Sequence, residues 1–185
     1  MADEDLMESL LDKEGRLRLF HGTNSLFANR VRLGIRIIPG RRELDFGNGF
    51  YTTTSRAVAQ EWANLRVARF DEASGVPDEL LRGLGIRTQE EYIGRGKSPT
   101  VLAFRVPWDE FREFPHRIFR CEEERAWHGF VERCRRGGEH EFSWVYGPLA
   151  VNRRGGRFGM REDADQLSLH APGPWRMLLD GEVEA

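Results

Sequence analysis

The chain has 185 residues, of which 39% are hydrophobic and 31% charged, and its formal net charge is −2. This length and composition are typical of one globular domain and exclude a disordered or fibrous protein. The small net charge argues against a strongly basic DNA-packing protein. No apolar run approaches the roughly 18 residues that a membrane helix needs, so we expect no membrane partner.

The beginning of the chain is acidic and lacks the basic and apolar regions of a secretory signal. Cys121 and Cys134 have no neighbouring pairs of ligands, so we expect neither a zinc site nor a disulfide. Both features favour the cytoplasm. Apolar residues at helical spacing within 1–14 predict either a short docking helix or a frayed terminus. We therefore divide the chain into an acidic extension, 1–15, and a single domain, 16–180.

The predicted elements interleave strands and helices. Strands are predicted where apolar residues alternate or β-branched residues cluster: 16–20, 35–38, 50–53, 100–106, 142–146 and 166–170. Helices are predicted where apolar residues recur every three or four positions: 24–32, 56–65, one or two short ones within 71–99, 122–136 and 175–179. This mixture does not follow the strict alternation of a parallel sheet, and it predicts the α+β class.

Local signals predict where elements end and which faces they bury. We expect His21-Gly22-Thr23 to break the first strand, Gly147-Pro148 to end the fifth, and 152–163 to be a polar connection. Ser55 suits the N-cap of the second helix, as Thr23 or Asn24 suits that of the first, which Gly34 would end. The predicted inward residues are Ala57, Val58, Trp62 and Leu65 on the second helix, and Ala126, Trp127, Phe130 and Val131 on the 122–136 helix.

Three short segments carry side chains and glycines suited to chemistry. His21-Gly22-Thr23 combines two polar tips with a glycine that permits close approach to the backbone. Asp45-Phe46-Gly47-Asn48-Gly49 precedes Phe50-Tyr51-Thr52-Thr53, where Gly49 opens a loop and Tyr51 offers a ring face. Trp62 follows eleven residues later, and two aromatic rings can clamp a flat cationic heterocycle, although Trp62 suits the core equally well. Gln166, in the third segment, can both donate and accept hydrogen bonds.

Together these segments resemble the bacterial ADP-ribosyltransferase superfamily, in its His-Tyr-Glu, diphtheria-toxin-like branch. The resemblance spans about residues 17–180 and rests on His-Gly-Thr, on Asp-Phe-Gly-x-Gly-Phe-Tyr-Thr-Thr, on Tyr146-Gly147-Pro148 and on Gln166-Leu167-Ser168-Leu169. It is greatest to an uncharacterised bacterial family with that Asp-Phe-Gly loop. The resemblance implies a split β-sandwich of two packed sheets with flanking helices.

The resemblance also implies a site that takes NAD as a substrate, with no metal. His21 would hold a ribose hydroxyl, and the backbone of Gly22 would bind the nicotinamide carboxamide. Tyr51 and Trp62 would sandwich the nicotinamide ring. The other residues assigned to the pocket are Thr23, Gly49, Thr52 and Thr53. Arginines within 30–42 or 152–161 would hold the pyrophosphate through paired hydrogen bonds.

The reaction that this resemblance implies is cleavage of the nicotinamide–ribose bond, with His21, Tyr51 and Gln166 as the catalytic set. The ribose gains oxocarbenium character, so catalysis benefits from negative charge beside it. The family places an acid where this chain has the neutral Gln166, which can orient a hydroxyl without supplying charge. The acids that could substitute are Glu43, Asp45, Glu162, Asp163 and Asp165, and the sequence does not rank them.

Three hypotheses follow for the function. The first is a transferase that moves ADP-ribose from NAD to a macromolecule, protein or nucleic acid, as a toxin or effector with an antitoxin or immunity partner; hydrolysis by water is its close variant. Such a protein would act in its own cytoplasm or in that of a target cell. The second is a nucleotide- or partner-binding module of the same fold that has lost turnover. The third, a nucleic-acid-binding domain built on arginines, is disfavoured by the near-zero net charge.

Overall fold

The computed structural model describes residues 2–35, 44–70, 77–152 and 158–180. Its helices are α1 (Ala2–Glu8), α2 (Ser25–Leu33), α3 (Arg56–Ala68), α4 (Asp78–Gly83), α5 (Gln89–Gly96), α6 (Trp108–Phe111), α7 (Glu124–Arg135) and α8 (Pro172–Asp180), with a 3₁₀ turn at Cys121–Glu123. Its strands are β1 (Arg16–Asn24), β2 (Phe50–Thr52), β3 (Pro99–Pro107), β4 (His116–Ile118), β5 (Trp144–Asn152) and β6 (Phe158–Leu169). The protein is of the α+β class.

The strands form two sheets that meet along a short seam. β1 and β3 pair antiparallel in the smaller sheet, and the larger sheet has the order β2-β6-β5-β4, with β4 parallel to β5. At the seam, a single antiparallel bridge joins Phe20 of β1 to Thr53, just after β2. The predicted arrangement of two sheets with flanking helices is confirmed.

The main core lies between the two sheets. Its fully buried side chains come from both of them, with Leu19 and Phe104 from the smaller sheet and Trp144 and Leu167 from the larger. Met7 of α1 is also fully buried in this core. The terminus was predicted to be either a docking helix or frayed, and α1 is a helix that docks on the core.

A second core covers the other face of the larger sheet. Trp127 and Val131 of α7 pack there with Val145 of β5 and with Phe46, from the loop before β2. The predicted helix buries Trp127, Phe130 and Val131 as expected, but the inward assignment of Ala126 was wrong because its side chain is exposed. Cys134 takes the remaining inward position. Cys121 and Cys134 are both free thiols.

Two predicted strand ends were wrong. β1 continues through His21-Gly22-Thr23 to Asn24, because β3 pairs with it along its whole length. β5 likewise continues past Gly147-Pro148 to Asn152, with a register shift between Pro148 and Leu149. The shift accommodates a proline, which has no N–H to donate to the ladder.

The prediction of a polar connection over 152–163 was also wrong, because β6 begins at Phe158 and pairs with β5. Residues 153–157 lie outside the described part of the chain. Most of the strand predicted over 35–38 also lies outside it, and Ile35 is not in a strand. Two helices, α4 and α5, occupy the predicted excursion within 71–99.

α3 buries a different face from the predicted one. Its Ser55 cap is confirmed, but the side chains buried beneath it are Val58, Ala59 and Ala63. Ala57 and Leu65 are exposed, Leu65 by 51%, and Trp62 is half-buried. The helix lies so close to β1 that only small residues fit between them, and this contact is not visible in the helical periodicity.

Candidate functional site

The three motif segments lie on three neighbouring strands, β1, β2 and β6. Thr53 exchanges two backbone hydrogen bonds with Phe20, with N···O distances of 2.7 and 2.9 Å. On the other side of β2, Tyr51 pairs with Ser168 and Thr52 with Leu167. The three segments thus meet at the seam between the sheets, although His21 and Gln166 are 145 positions apart in the sequence.

The ladder between β1 and β2 opens directly after the Phe20–Thr53 bridge. In a regular antiparallel ladder the next bond would run from the Gly22 N–H to the Tyr51 carbonyl. Instead, Nδ1 of His21 donates to that carbonyl at 2.7 Å. Alternate residues of a strand direct their backbone groups the same way, so the N–H and C=O of Gly22 point toward β2, where the described residues offer them no backbone partner.

His21 is held in a neutral form with a defined tautomer. A carbonyl partner requires the proton on Nδ1, which leaves Nε2 as an acceptor. Burial lowers the pKa of His21 to about 4. The ring stacks on Phe50 at 4.4 Å between centroids. Because Phe50 packs against the main core, His21 lies on the inter-sheet side of the seam.

Tyr51 lies on the opposite face of β2. Its ring packs against the second core, and its hydroxyl accepts from the Phe46 N–H at 2.9 Å and donates to the Gly47 carbonyl at 2.8 Å. Burial holds the pKa of this phenol well above its usual range. The hydroxyl therefore anchors residues 45–49, the glycine loop, which precede β2. No ring contact joins Tyr51, His21 or Trp62 to another of the three in the described residues.

The two threonines of the motif tie β2 to β6. Thr52 and Thr53 are fully buried. The Thr52 hydroxyl donates to the Leu167 carbonyl at 3.0 Å, and the Thr53 hydroxyl donates to Oδ1 of Asp165 at 2.8 Å. Asp165 also accepts from the backbone and hydroxyl of Thr54. Asp165 is one of the acids considered as substitutes for the acid missing at position 166. Both of its carboxylate oxygens accept hydrogen bonds from threonines at the seam.

Gln166 lies on the same face of the larger sheet as Tyr51, because Tyr51 pairs with Ser168 and side chains alternate along β6. It is buried, with 2% exposure. Its Nε2 donates to Oδ2 of Asp45 at 2.7 Å and lies 3.3 Å from the Pro148 carbonyl. The carboxylate decides which end of the amide is nitrogen, so Oε1 points away from Asp45.

Asp45 was considered in the sequence only as one of several substitute acids, and the structure brings it into contact with Gln166. Its Oδ1 accepts from Nε and Nη2 of Arg135 at 2.9 and 2.6 Å. Its Oδ2 also accepts from the Ala150 N–H at 3.2 Å. Arg135 did not stand out in the sequence, where it is one of several basic residues at the end of α7.

The remaining predicted site residues have structural contacts. A Cβ at Gly22 would lie 1.8 Å from the Ala59 carbonyl oxygen, so the glycine admits α3 on that side. A Cβ at Gly49 would lie 2.8 Å from the His170 ring. Thr23 is buried beside the N-cap residue Asn24.

The family of the chain is shown by its sequence. A family model described as Protein of unknown function (DUF3990) matches residues 17–154. The chain belongs to the DUF3990 family. A search of curated proteins found no match to it. The matched part contains His21, Tyr51 and Trp62 and ends before β6, so Gln166 lies beyond it.

The arginines predicted to bind pyrophosphate, and the other acids considered for the role of an acid at position 166, are exposed, paired or outside the described residues. Arg30 and Arg32 of the DUF3990 domain are exposed on α2. Arg161 is paired with Glu61 and Asp163. Those outside the described residues are Arg36, Arg41, Arg42, Glu43, Arg153, Arg154 and Arg157. Glu162 and Asp163 are exposed on β6.

Two histidines that the sequence reasoning missed clamp the glycine loop of the DUF3990 domain. Nε2 of His140 donates to the Phe46 carbonyl at 3.0 Å, and Nδ1 of His170 donates to the Asn48 carbonyl at 2.8 Å. Burial lowers the pKa of His170 to about 4. Neither residue belongs to a recognisable motif, because both contacts join residues more than 90 positions apart.

Two cavities were found, and the second reaches the seam at Asp165. One, of about 390 Å³, is bordered by Phe119, Phe130 and Arg133, and the other, of about 340 Å³, by Cys121, Tyr146 and Asp165. In the described ranges, no three His, Cys, Asp or Glu side chains are grouped to hold a metal ion. Within those same ranges, every helix is too short or too polar to cross a membrane.

Proposed function

We propose that this DUF3990 domain is an NAD-dependent ADP-ribosyltransferase. The bond between the ribose C1′ and the nicotinamide nitrogen breaks, and its electron pair leaves with neutral nicotinamide. A nucleophile of a macromolecular acceptor then attacks C1′ and loses its proton. The leaving group is already cationic in NAD, so no general acid is needed to protonate it.

The observation that carries the proposal is the open ladder at Gly22. A carboxamide has one acceptor and two donor positions, and these complement one unpaired N–H and one unpaired C=O of the same residue. Gly22 presents both groups toward β2, and the Nδ1–H of His21 occupies the carbonyl that would otherwise take its N–H. We therefore place the nicotinamide carboxamide at Gly22.

Gln166 supplies a second feature that supports the proposal. Both hydrogens of its amide face acceptors, Asp45 and Pro148, so the end that remains is the acceptor Oε1. An acceptor near the carboxyl end of β6 suits the hydroxyl of a ribose. Tyr51 borders the same face of the sheet, and its hydroxyl holds the glycine loop.

A binding module without turnover is the second candidate. The observation that favours it is the ion pair of Asp45 with Arg135, because the described carboxylate closest to Gln166 is neutralised by a guanidinium. This candidate keeps the carboxamide contact at Gly22 and predicts binding of NAD without loss of nicotinamide.

The test combines a binding signal with a product. The protein is labelled with ¹⁵N-glycine and titrated with NAD, and nicotinamide release is followed by chromatography with and without cell extract. We expect the Gly22 amide resonance to move while that of Gly94, exposed on α5, stays in place.

The product separates the alternatives. Release that requires the extract supports transfer, release without it means that water is the acceptor, and a Gly22 shift without release supports the binding module. An unmoved Gly22 resonance together with no release would show that the proposal is wrong.

A further inference from the structure

We infer that Asp45 is a positioning residue that polarises the Gln166 carboxamide. The Asp45 carboxylate and the Gln166 amide together take the place of a single acid at position 166 of β6. The inference rests on the proposed function and names a second residue of the same site. It assigns the carboxylate to the loop before β2 rather than to β6.

Asp45 is built into the fold as a hydrogen-bond acceptor. Its side chain is 9% exposed, and Arg135 donates two hydrogen bonds to one of its oxygens. The Ala150 N–H and the Gln166 amide donate to the other oxygen. Four N–H donors of the described residues therefore converge on this carboxylate.

The charge is transmitted through the amide. A hydrogen bond to an ionised acceptor polarises the donor group, and in a carboxamide this raises the electron density on the oxygen. The chain Arg135–Asp45–Gln166 ends at Oε1, which has no hydrogen-bond partner among the described residues. Oε1 is thereby a stronger acceptor for a ribose hydroxyl than the amide oxygen of an isolated glutamine.

The same contact explains why position 166 is not acidic here. A glutamate in this place would bring a second carboxylate to within about the 2.7 Å that now separates Gln166 Nε2 from Asp45 Oδ2. Two carboxylates at such a distance cannot both ionise without a large cost. In this chain the acid therefore lies on the loop and its neutral partner on the strand.

The first experiment neutralises Asp45 alone. In Asp45→Asn, the oxygen of the new amide accepts from Arg135 and its nitrogen faces Gln166. Gln166 must then rotate and present N–H groups instead of Oε1. We expect nicotinamide release to fall by about tenfold or more, which is the loss expected for one hydrogen bond to a charged group.

The double variant D45N/Q166E restores one carboxylate and one amide. The introduced asparagine can donate to the introduced glutamate, whose other oxygen takes the position of Oε1. We expect release to recover by at least about tenfold over both D45N and Q166E. Recovery is incomplete for two reasons. The Ala150 N–H loses its acceptor when Oδ2 becomes an amide nitrogen, and the Pro148 carbonyl, 3.3 Å from the Gln166 amide nitrogen in the native protein, opposes a carboxylate.

A matched control and the melting temperature separate this role from a structural one. Asp109→Asn makes the same chemical change at an exposed residue on α6 and should leave release unchanged. If D45N releases nicotinamide at the wild-type rate, or if the double variant is no more active than Q166E, the inference is wrong while the proposed function stands. If D45N fails to fold, the comparison of the double variant with Q166E decides. A wild-type protein that neither binds nor cleaves NAD would overturn both proposals.

Discussion

At the scale of single residues, Tyr51 shows how one side chain can serve both fold and site. Its ring belongs to the second core, and its hydroxyl holds two backbone groups of the glycine loop. The loop carries Asp45, so the position of the carboxylate next to Gln166 depends on this anchor. Removing the whole side chain would therefore damage folding and any binding together.

Tyr51→Phe isolates the hydroxyl. It leaves the Phe46 N–H and the Gly47 carbonyl without their partner, so we expect the free energy of unfolding to fall by about 1–3 kcal/mol. Urea denaturation measures it. Tyr92→Phe is the matched control, because that ring packs at a tilt against Phe70 and its hydroxyl has no hydrogen-bond partner in the described part of the chain. Equal stability of the Tyr51 variant and wild type would mean that the loop does not depend on this hydroxyl.

At the scale of elements, the packing of α3 on β1 sets the geometry of the seam. The helix crosses the strand at Gly22, and its small residues Ala59 and Ala63 face the strand. The absence of a side chain at Gly22 thus serves the helix on one side of the strand. Its N–H and C=O, which face no backbone partner on the β2 side among the described residues, serve the proposed carboxamide site along the strand edge.

Gly22→Ala tests this close approach. The new Cβ would lie 1.8 Å from the Ala59 oxygen and 2.8 Å from the Ala63 nitrogen, and backbone atoms cannot move aside as a side chain can. We expect a loss of about 3 kcal/mol or more in the free energy of unfolding. The control Gly94→Ala has open space around its Cβ and should gain about 0.5–1 kcal/mol from helix propensity. A Gly22→Ala protein as stable as wild type would disprove the contact.

At the scale of the whole molecule, two neutral histidines hold segments that are distant in sequence. His21 joins β1 to β2, and His170 joins the end of β6 to the glycine loop. Burial is the largest cause that lowers the pKa of each to about 4, against an ordinary value of 6.5. Folding is therefore linked to pH in the interval between these values.

The sign of the pH dependence follows from proton binding. Between pH 6.5 and 4 the unfolded chain binds protons at these histidines that the folded chain does not, so stability is full above pH 6.5 and falls as the pH drops toward 4. Each unit of pKa difference contributes about 1.4 kcal/mol. Urea denaturation at pH 7 and pH 5 measures the loss, and His170→Gln should reduce it. A profile that is flat over this interval would contradict the burial of both rings as neutral groups.

Much of the fold was predictable because its signals are local. The apolar alternation of β1, the Asn24 and Ser55 caps and the apolar face of α7 each depend on neighbouring residues, and the structure confirms all of them. The errors at strand ends have a common origin, since pairing with a partner strand extends β1, β5 and β6 through residues that ordinarily end a strand.

The sequence by itself determined the α+β class and the segments that hold the polar residues, because hydrophobic periodicity and turn chemistry act over a few positions. Only the tertiary structure decided that His21 and Tyr51 lie on opposite faces of the seam, and that Gln166 meets Asp45 and Arg135. Such contacts arise from the register and alternation of paired strands, and residues about 90 to 120 positions apart leave no local trace of their pairing.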